Sequence, residues 1–139
     1  MDRAQLTDWL TEYERAWRSP GTASLSELFT EDASYSTAPY EEPHRGLAEI
    51  REMWETERFG PDEAFEMTSE IIAVEGDTGV ARVTVLYEEA EQKERRLHRQ
   101  RKEYRDLWVV RLDEANRCSN FEEWPFWPTD QQGAPAAGA

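Results

Sequence analysis

Asp106 is the residue whose type and position point most directly to chemistry. It stands between Tyr104 and Trp108 in a run with the two-residue period of a strand, so a carboxylate shares one strand face with two large rings. Burying a carboxylate is costly unless it is paired or hydrogen-bonded, and burial moves its pKa toward the range useful for proton transfer. Two roles follow: a general acid/base or polar anchor inside a pocket, or a structural acceptor satisfied by a neighbouring Arg or Tyr. A second carboxylate alternates with rings near the C-terminus, where Glu122 shares parity with Trp124 and Phe126, while Glu123 falls with Phe121 and Trp127. If Glu122 points inward, two carboxylates line one cavity. Otherwise it is a rim residue paired with an arginine.

His44 lies in the loop Pro39-Tyr40-Glu41-Glu42-Pro43-His44-Arg45-Gly46. A loop histidine can border a pocket mouth and shuttle protons, or simply sit in solvent. Two histidines without spaced carboxylate or thiol partners make no metal signature, so no metal is expected. The sequence has no Gly-rich phosphate loop, no nucleophile elbow and no Cys/His pair, which leaves nucleotide cofactors and covalent catalysis without support. No cofactor is expected.

The rings that could surround Asp106 are spread along the chain: Tyr13, Trp17, Tyr35, Tyr40, Trp54, Tyr87, Trp108 and Trp124. Each alone reads as core. Together they are polar-tipped where a dry core would favour Leu, Ile or Val, and this excess argues for an aromatic-lined pocket that binds a small, largely apolar molecule.

The elements that must position these residues follow from periodicity. Leu6, Trp9, Leu10, Tyr13, Ala16 and Trp17 mark one face of a first helix, ended by Ser19-Pro20-Gly21. Ser24 to Phe29 reads as a short second helix and Ala33 to Thr37 as a short strand. Leu47, Ile50, Met53 and Trp54 mark a third helix, closed by Gly60-Pro61. From Phe65 the period changes to two: Phe65 to Val74 and Val80 to Glu88 form a hairpin around Glu75-Gly76-Asp77, and Tyr104 to Leu112 and Cys118 to Phe126 form a second pair around Asp113 to Asn116. Glu91 to Arg101 reads as a connection or strand ends. Three helices followed by four long antiparallel strands, with one short strand between helices two and three, predict an α+β domain with the helices packed on one face of a strongly curved sheet. Both strand faces carry apolar residues, so the outer face is expected to meet a partner sheet in a homodimer.

At 139 residues one domain, residues 1–128, is expected, followed by a mobile Gly/Ala/Pro/Gln tail at residues 129–139. The net charge of -14 repels phosphate backbones and anionic lipid, which argues against nucleic acid and membrane partners. The charge is uneven: Gln92 to Arg105 holds seven Lys or Arg and two Glu, a basic stripe that either meets an anionic polymer or offsets the acidic surface. Cys118 is the single cysteine, the first ten residues contain no secretory-type apolar run, and no stretch is long and apolar enough to span a bilayer; the chain reads as cytoplasmic.

Several words of this sequence resemble the nuclear transport factor 2-like superfamily, and within it the SnoaL-like bacterial proteins. They are Trp9 to Trp17, Leu28-Phe29-Thr30-Glu31-Asp32-Ala33, the Pro43-His44-Arg45-Gly46 turn with Ile50 and Trp54, and the strands Tyr104 to Leu112 and Phe121 to Trp127. The resemblance spans residues 3 to 127. It implies a cone-shaped α+β barrel with an internal cavity, commonly dimeric through the outer sheet face. Members include isomerases, cyclases, dehydratases, epoxide hydrolases and proteins that only bind. Active members often use an inward carboxylate on a central strand; Asp106 matches that position, with Tyr13, Tyr35 and His44 as partners. The Tyr/Asp set of ketosteroid isomerase and the two-His set of scytalone dehydratase cannot be assembled from this chain. Isomerase, lyase or cyclase-type acid–base chemistry is therefore one expectation, and a non-catalytic binding or dimeric assembly module with a self-filled cavity is the other.

Overall fold

The computed structural model describes residues 1–57, 64–93 and 96–128; the side chains of residues 64 and 88–102 lie outside that description. The expected tail, the Gly60-Pro61 helix end, His98 and most of the basic stripe's side chains fall outside the described residues.

Helix α1 spans Arg3–Arg18 and starts on a capping box, in which the Asp2 carboxylate accepts from the Gln5 N–H at 2.8 Å and the Gln5 side chain accepts from the Asp2 N–H at 2.8 Å. Its buried face is Leu6, Trp9, Leu10, Tyr13 and Ala16, the stripe that the sequence periodicity predicts. The short helix α2, Leu25–Leu28, is pinned to it by the Trp9 indole, which donates to the Leu28 carbonyl at 3.0 Å. Helix α3, Gly46–Glu57, buries Ile50, Met53 and Trp54.

One six-stranded sheet carries the rest: β1 Phe29–Ser36, β2 His44–Arg45, β3 Ala64–Glu75, β4 Thr78–Lys93, β5 Arg96–Leu112 and β6 Cys118–Phe126, in the order β2-β1-β6-β5-β4-β3. The sheet is curved and unclosed, with the helices packed into its concave face, as the sequence predicts. All neighbours are antiparallel except β1 and β6, which run parallel and bring Tyr35 opposite Phe121. Two details differ from expectation. Strand β1 begins directly after α2 rather than at Ala33, and the loop before α3 contributes the two-residue strand β2. Of the two alternatives for the 91–101 stretch, a connection or strand ends, its described residues take the second: β4 and β5 stay paired out to Lys93 and Arg96. The β3–β4 hairpin turns on Gly76, whose φ of 62° suits a two-residue loop. The β5–β6 turn is held by the Asp113 carboxylate, which accepts from the Ala115 and Arg117 N–H groups at 2.9 Å each.

Side-chain alternation divides the sheet cleanly. On β5 the inner face carries Asp106, Trp108, Val110 and Leu112, all buried, and the outer face carries Arg105, Leu107, Val109 and Arg111. Along the inner face burial grades from one end to the other. Val110, Val83, Ala81 and Phe121 are sealed at 0% exposure, whereas Phe65, Met67, Tyr87, Tyr104, Pro125 and Trp127 are only half-buried. The concave face is thus sealed at one end and less completely buried at the other, its more open end, marked by these residues, where α1 and α3 reach their C-terminal turns.

Candidate functional site

The deepest polar group in the described core is the Asp106 carboxyl, 1% exposed. Its Oδ2 accepts from the Trp108 indole at 2.9 Å, a bond made possible because residues two apart on a strand share a face. Its Oδ1 is buried and meets no N–H or O–H donor among the described residues. The Asp106 side chain also meets a second carboxyl. Glu123 sits opposite Trp108 on β6, one diagonal step from Asp106, and the two carboxyls are within hydrogen-bonding range of each other.

Two carboxylates offer each other only acceptors, so the contact is favourable when one of them keeps a proton. The energetics agree. Burial raises the Asp106 carboxyl above its ordinary value, a rise that the hydrogen bonds with Glu123 and Trp108 partly offset. Glu123 is raised well above its ordinary value, first by burial, then by the hydrogen bond to Asp106 and the negative charges of Asp106 and Glu57. Glu123 is half-buried as a residue, with its carboxyl at the inner end against Asp106. Burial and mutual contact thus favour one proton held between the two carboxyls, and the pair is expected to titrate as a unit. A neutral carboxyl beside an ionised one can give a proton and take one, which is the equipment of acid–base chemistry.

A second polar pair lies alongside. The hydroxyls of Tyr13 on α1 and Tyr35 on β1 are 2.6 Å apart and buried. Both are held well above the ordinary tyrosine value, chiefly by burial, with the Glu123 charge contributing to each. They therefore stay protonated and act as donors. Tyr104 is raised by burial in the same way, with Tyr87, Glu123 and Asp106 adding to the effect.

Rings enclose these groups. Tyr13 contacts Trp108, Trp54 and Phe121 at centroid distances of 4.7, 5.1 and 5.7 Å. Trp17 packs edge-on to Trp54 at 4.7 Å, and Tyr35 stacks on Phe121 at 4.4 Å. At the open end Tyr104 contacts Trp127 at 4.9 Å and Tyr87 at 5.8 Å, and the Arg18 guanidinium lies 3.9 Å over the Phe65 ring.

Of the residues singled out in the sequence, Asp106, Trp108, Tyr13, Tyr35, Trp54, Trp17 and Tyr87 come together on the concave side. Three do not. Tyr40 projects from its loop fully exposed. Trp124 stands on the outer face, 42% exposed, and donates its indole N–H to Glu122 at 3.2 Å. Glu122 is therefore an outer-face residue, and Glu123 is the carboxylate that joins Asp106. His44 is half-buried on β2, directly across from Tyr35, which places it on the same side of the sheet as that tyrosine. Glu123, Tyr104 and Trp127 are the members that sequence reasoning did not pick. No group of three or more His, Cys, Asp or Glu side chains that could hold a metal ion occurs among the described residues.

The family model of the SnoaL-like domain matches residues 10–117. This chain is a SnoaL-like protein. Among solved structures, the SnoaL-like chain is similar to a CaMKII hub from S. rosetta, with TM-score 0.67, 11% identity and coverage of 88% of this chain and 95% of that one. It is similar to SalBIII, an epoxide hydrolase/cyclase-like enzyme in pyran ring formation in the polyether salinomycin, with TM-score 0.66, 18% identity and 92% and 94% coverage. An NTF2-like protein with a cystatin-like fold from Novosphingobium aromaticivorans aligns with TM-score 0.61, 22% identity and 98% and 87% coverage. At these identities the likeness establishes the nuclear transport factor 2-like fold. Comparison with curated proteins finds no match. No helix among the described residues is long and apolar enough to cross a membrane.

Proposed function

We propose that this SnoaL-like protein binds a small, largely apolar molecule at the open end of its concave face and acts on it by acid–base chemistry of the isomerase, lyase or cyclase type. The observation that carries the reading is the proton-sharing Asp106–Glu123 pair set among rings. A pair of raised carboxyls costs stability at neutral pH, and such a cost is characteristic of functional sites. Asp106, fixed by the Trp108 indole, is the group assigned to proton abstraction, with Glu123 holding the second proton position. One hydroxyl of the Tyr13–Tyr35 pair is assigned to donate to oxygen on the bound molecule, the other being used within the pair. Trp17, Trp54, Tyr87, Tyr104 and Trp108 supply the apolar walls, and His44 borders the Tyr35 side.

The test is a thermal-shift screen of small cyclic apolar compounds against the wild type and Asp106→Asn. Compounds that stabilise the wild type, with the variant binding but failing to turn them over, support the reading. If no compound shifts either form and the variant changes only in stability, acid–base catalysis is overturned.

An assembly role has its own supporting feature. On the outer face Leu107 pairs with Trp124 and Arg105 with Phe126; Trp124 and Phe126 remain 42% and 56% exposed beside half-buried Val80, Val109 and Leu86. Exposed rings among these apolar residues, on a face that also carries Arg82 and Arg105, suit a sheet-to-sheet homodimer. Sedimentation of the wild type against a Trp124→Glu, Phe126→Glu variant tests it: a dimer that becomes a monomer supports the proposal, and a monomeric wild type at tens of micromolar removes it.

A further inference from the structure

The charge balance around the carboxyl pair narrows what the site can hold. Every titratable group found acting on Asp106 and Glu123 is acidic or neutral: each other, and Glu57 from α3. The groups facing them from the packed elements are Tyr13 on α1, Tyr35 on β1, Tyr87 on β4 and Tyr104 on β5. The described cation at this end is Arg18, and its guanidinium is already engaged by Glu14 at 2.9 Å, the Phe65 carbonyl at 3.0 Å and the Phe65 ring. The pair thus presents negative charge with no internal counter-ion among the described residues, and one of its oxygens, Asp106 Oδ1, is buried without a donor. Glu123, Tyr87, Tyr104, Trp127 and Trp17 are the half-buried residues on this side of the fold.

Ring faces carry negative quadrupole potential and attract cations, the more so when water is excluded. No third His, Cys, Asp or Glu joins the pair to make a metal-holding group among the described residues. A single buried negative charge walled by tyrosine and tryptophan is complementary to an ammonium group, which needs one counter-charge and tolerates hydrocarbon beside it.

We propose that the molecule bound at this site carries a protonated amine on an apolar body, with the ammonium lodged against Asp106 and Glu123 and the hydrocarbon on Trp17, Tyr87, Tyr104 and Trp127. The proposal rests on the pocket reading above and names its ligand class. The ammonium neutralises the one negative charge that the pair carries when it holds a single proton, and supplies a donor to Asp106 Oδ1. Binding of the cation therefore requires one of the two carboxyls to be ionised and strengthens as pH rises through that ionisation, provided the amine itself stays charged.

The experiment uses three probes of one shape and different charge: 2-(aminomethyl)naphthalene, 2-naphthalenemethanol and 2-naphthoate, titrated calorimetrically into the full chain at pH 5 and pH 8. The expected result is at least tenfold tighter binding of the amine than of the alcohol at pH 8, no binding of the carboxylate, and weaker amine binding at pH 5. In the Asp106→Asn, Glu123→Gln double variant, the preference for the amine over the alcohol should disappear; Glu123→Gln alone keeps the test available if the double variant does not fold. If the alcohol or the carboxylate binds as well as the amine, the ammonium assignment is overturned and the pocket reading survives. If none of the three binds, the pocket reading itself falls.

Discussion

Asp106 and Glu123 stand one diagonal step apart on adjacent strands and meet carboxyl to carboxyl, while Trp108 donates its indole N–H to Asp106 Oδ2. Folding brings together two acids that in the unfolded chain titrate near their ordinary values of 3.8 and 4.5. Both are raised in the folded state, so the native protein binds more protons than the unfolded chain above about pH 4, and stability falls as pH rises from there toward the folded values.

Glu123→Gln should reduce that loss, because an amide N–H can then donate to the Asp106 carboxylate at every pH while only the burial of Asp106 remains to raise it. Thermal unfolding from pH 4 to pH 8 should show the wild type losing stability relative to the variant by up to about 1.4 kcal/mol per pH unit, the value for one proton. At this chain length 1 kcal/mol corresponds to about 4 °C in Tm. Parallel curves for the two proteins would show that the carboxyls do not share a proton.

Trp108→Phe keeps an aromatic ring and deletes the indole donor. The ionised Asp106 then loses a hydrogen bond worth about 1.5–3 kcal/mol, so the variant should be destabilised more at pH 8 than at pH 4. Equal destabilisation at both pH values would mean that the indole contributes packing alone.

Tyr13→Phe and Tyr35→Phe each leave the other hydroxyl buried without the partner that now lies 2.6 Å away. Each single change should cost about 1–3 kcal/mol, and the double variant should cost less than the sum, since removing both hydroxyls leaves no orphan. Denaturant unfolding of the four proteins measures the coupling; strict additivity would show that the two hydroxyls do not depend on each other.

Cys118 is buried and its thiol, pushed up to about 12 by burial, donates to the Asn120 carbonyl at 3.2 Å. It should resist alkylating reagents in the native state and react at the rate at which the chain opens. Labelling as fast as that of a free thiol at pH 8 would contradict this.

The elements were legible because their periods are strong. The six apolar positions of α1 and the alternation of β5 fix both the elements and the inward side of Asp106. The partner of Asp106 was not legible, and a bulge explains why. The register slips between Arg111 and Leu112, so that Arg111 faces Asn120 while Leu112 faces Cys118, leaving Ser119 as the extra residue. Cys118 and Phe121 are consequently both buried despite opposite parity. Without the bulge, an inward Cys118 would turn Glu122 and Trp124 inward and Glu123 out. Each parity class offers one glutamate and two rings, so alternation alone could not choose between them. Tyr40 and Trp124 mislead for a related reason: ring type reports a capacity for burial, and only tertiary neighbours decide whether it is used.

The graded burial of the concave face has a consequence for how this chain can change. Residues that fill the sealed end, such as Phe121, Val83 and Val110, are tied to folding, and substitutions there are filtered by stability. Tyr87, Tyr104 and Trp127 at the open end carry less of that burden. The rim can therefore be exchanged with small effect on whether the chain folds, so selectivity for a bound molecule can drift while the scaffold and its proton-sharing pair remain in place.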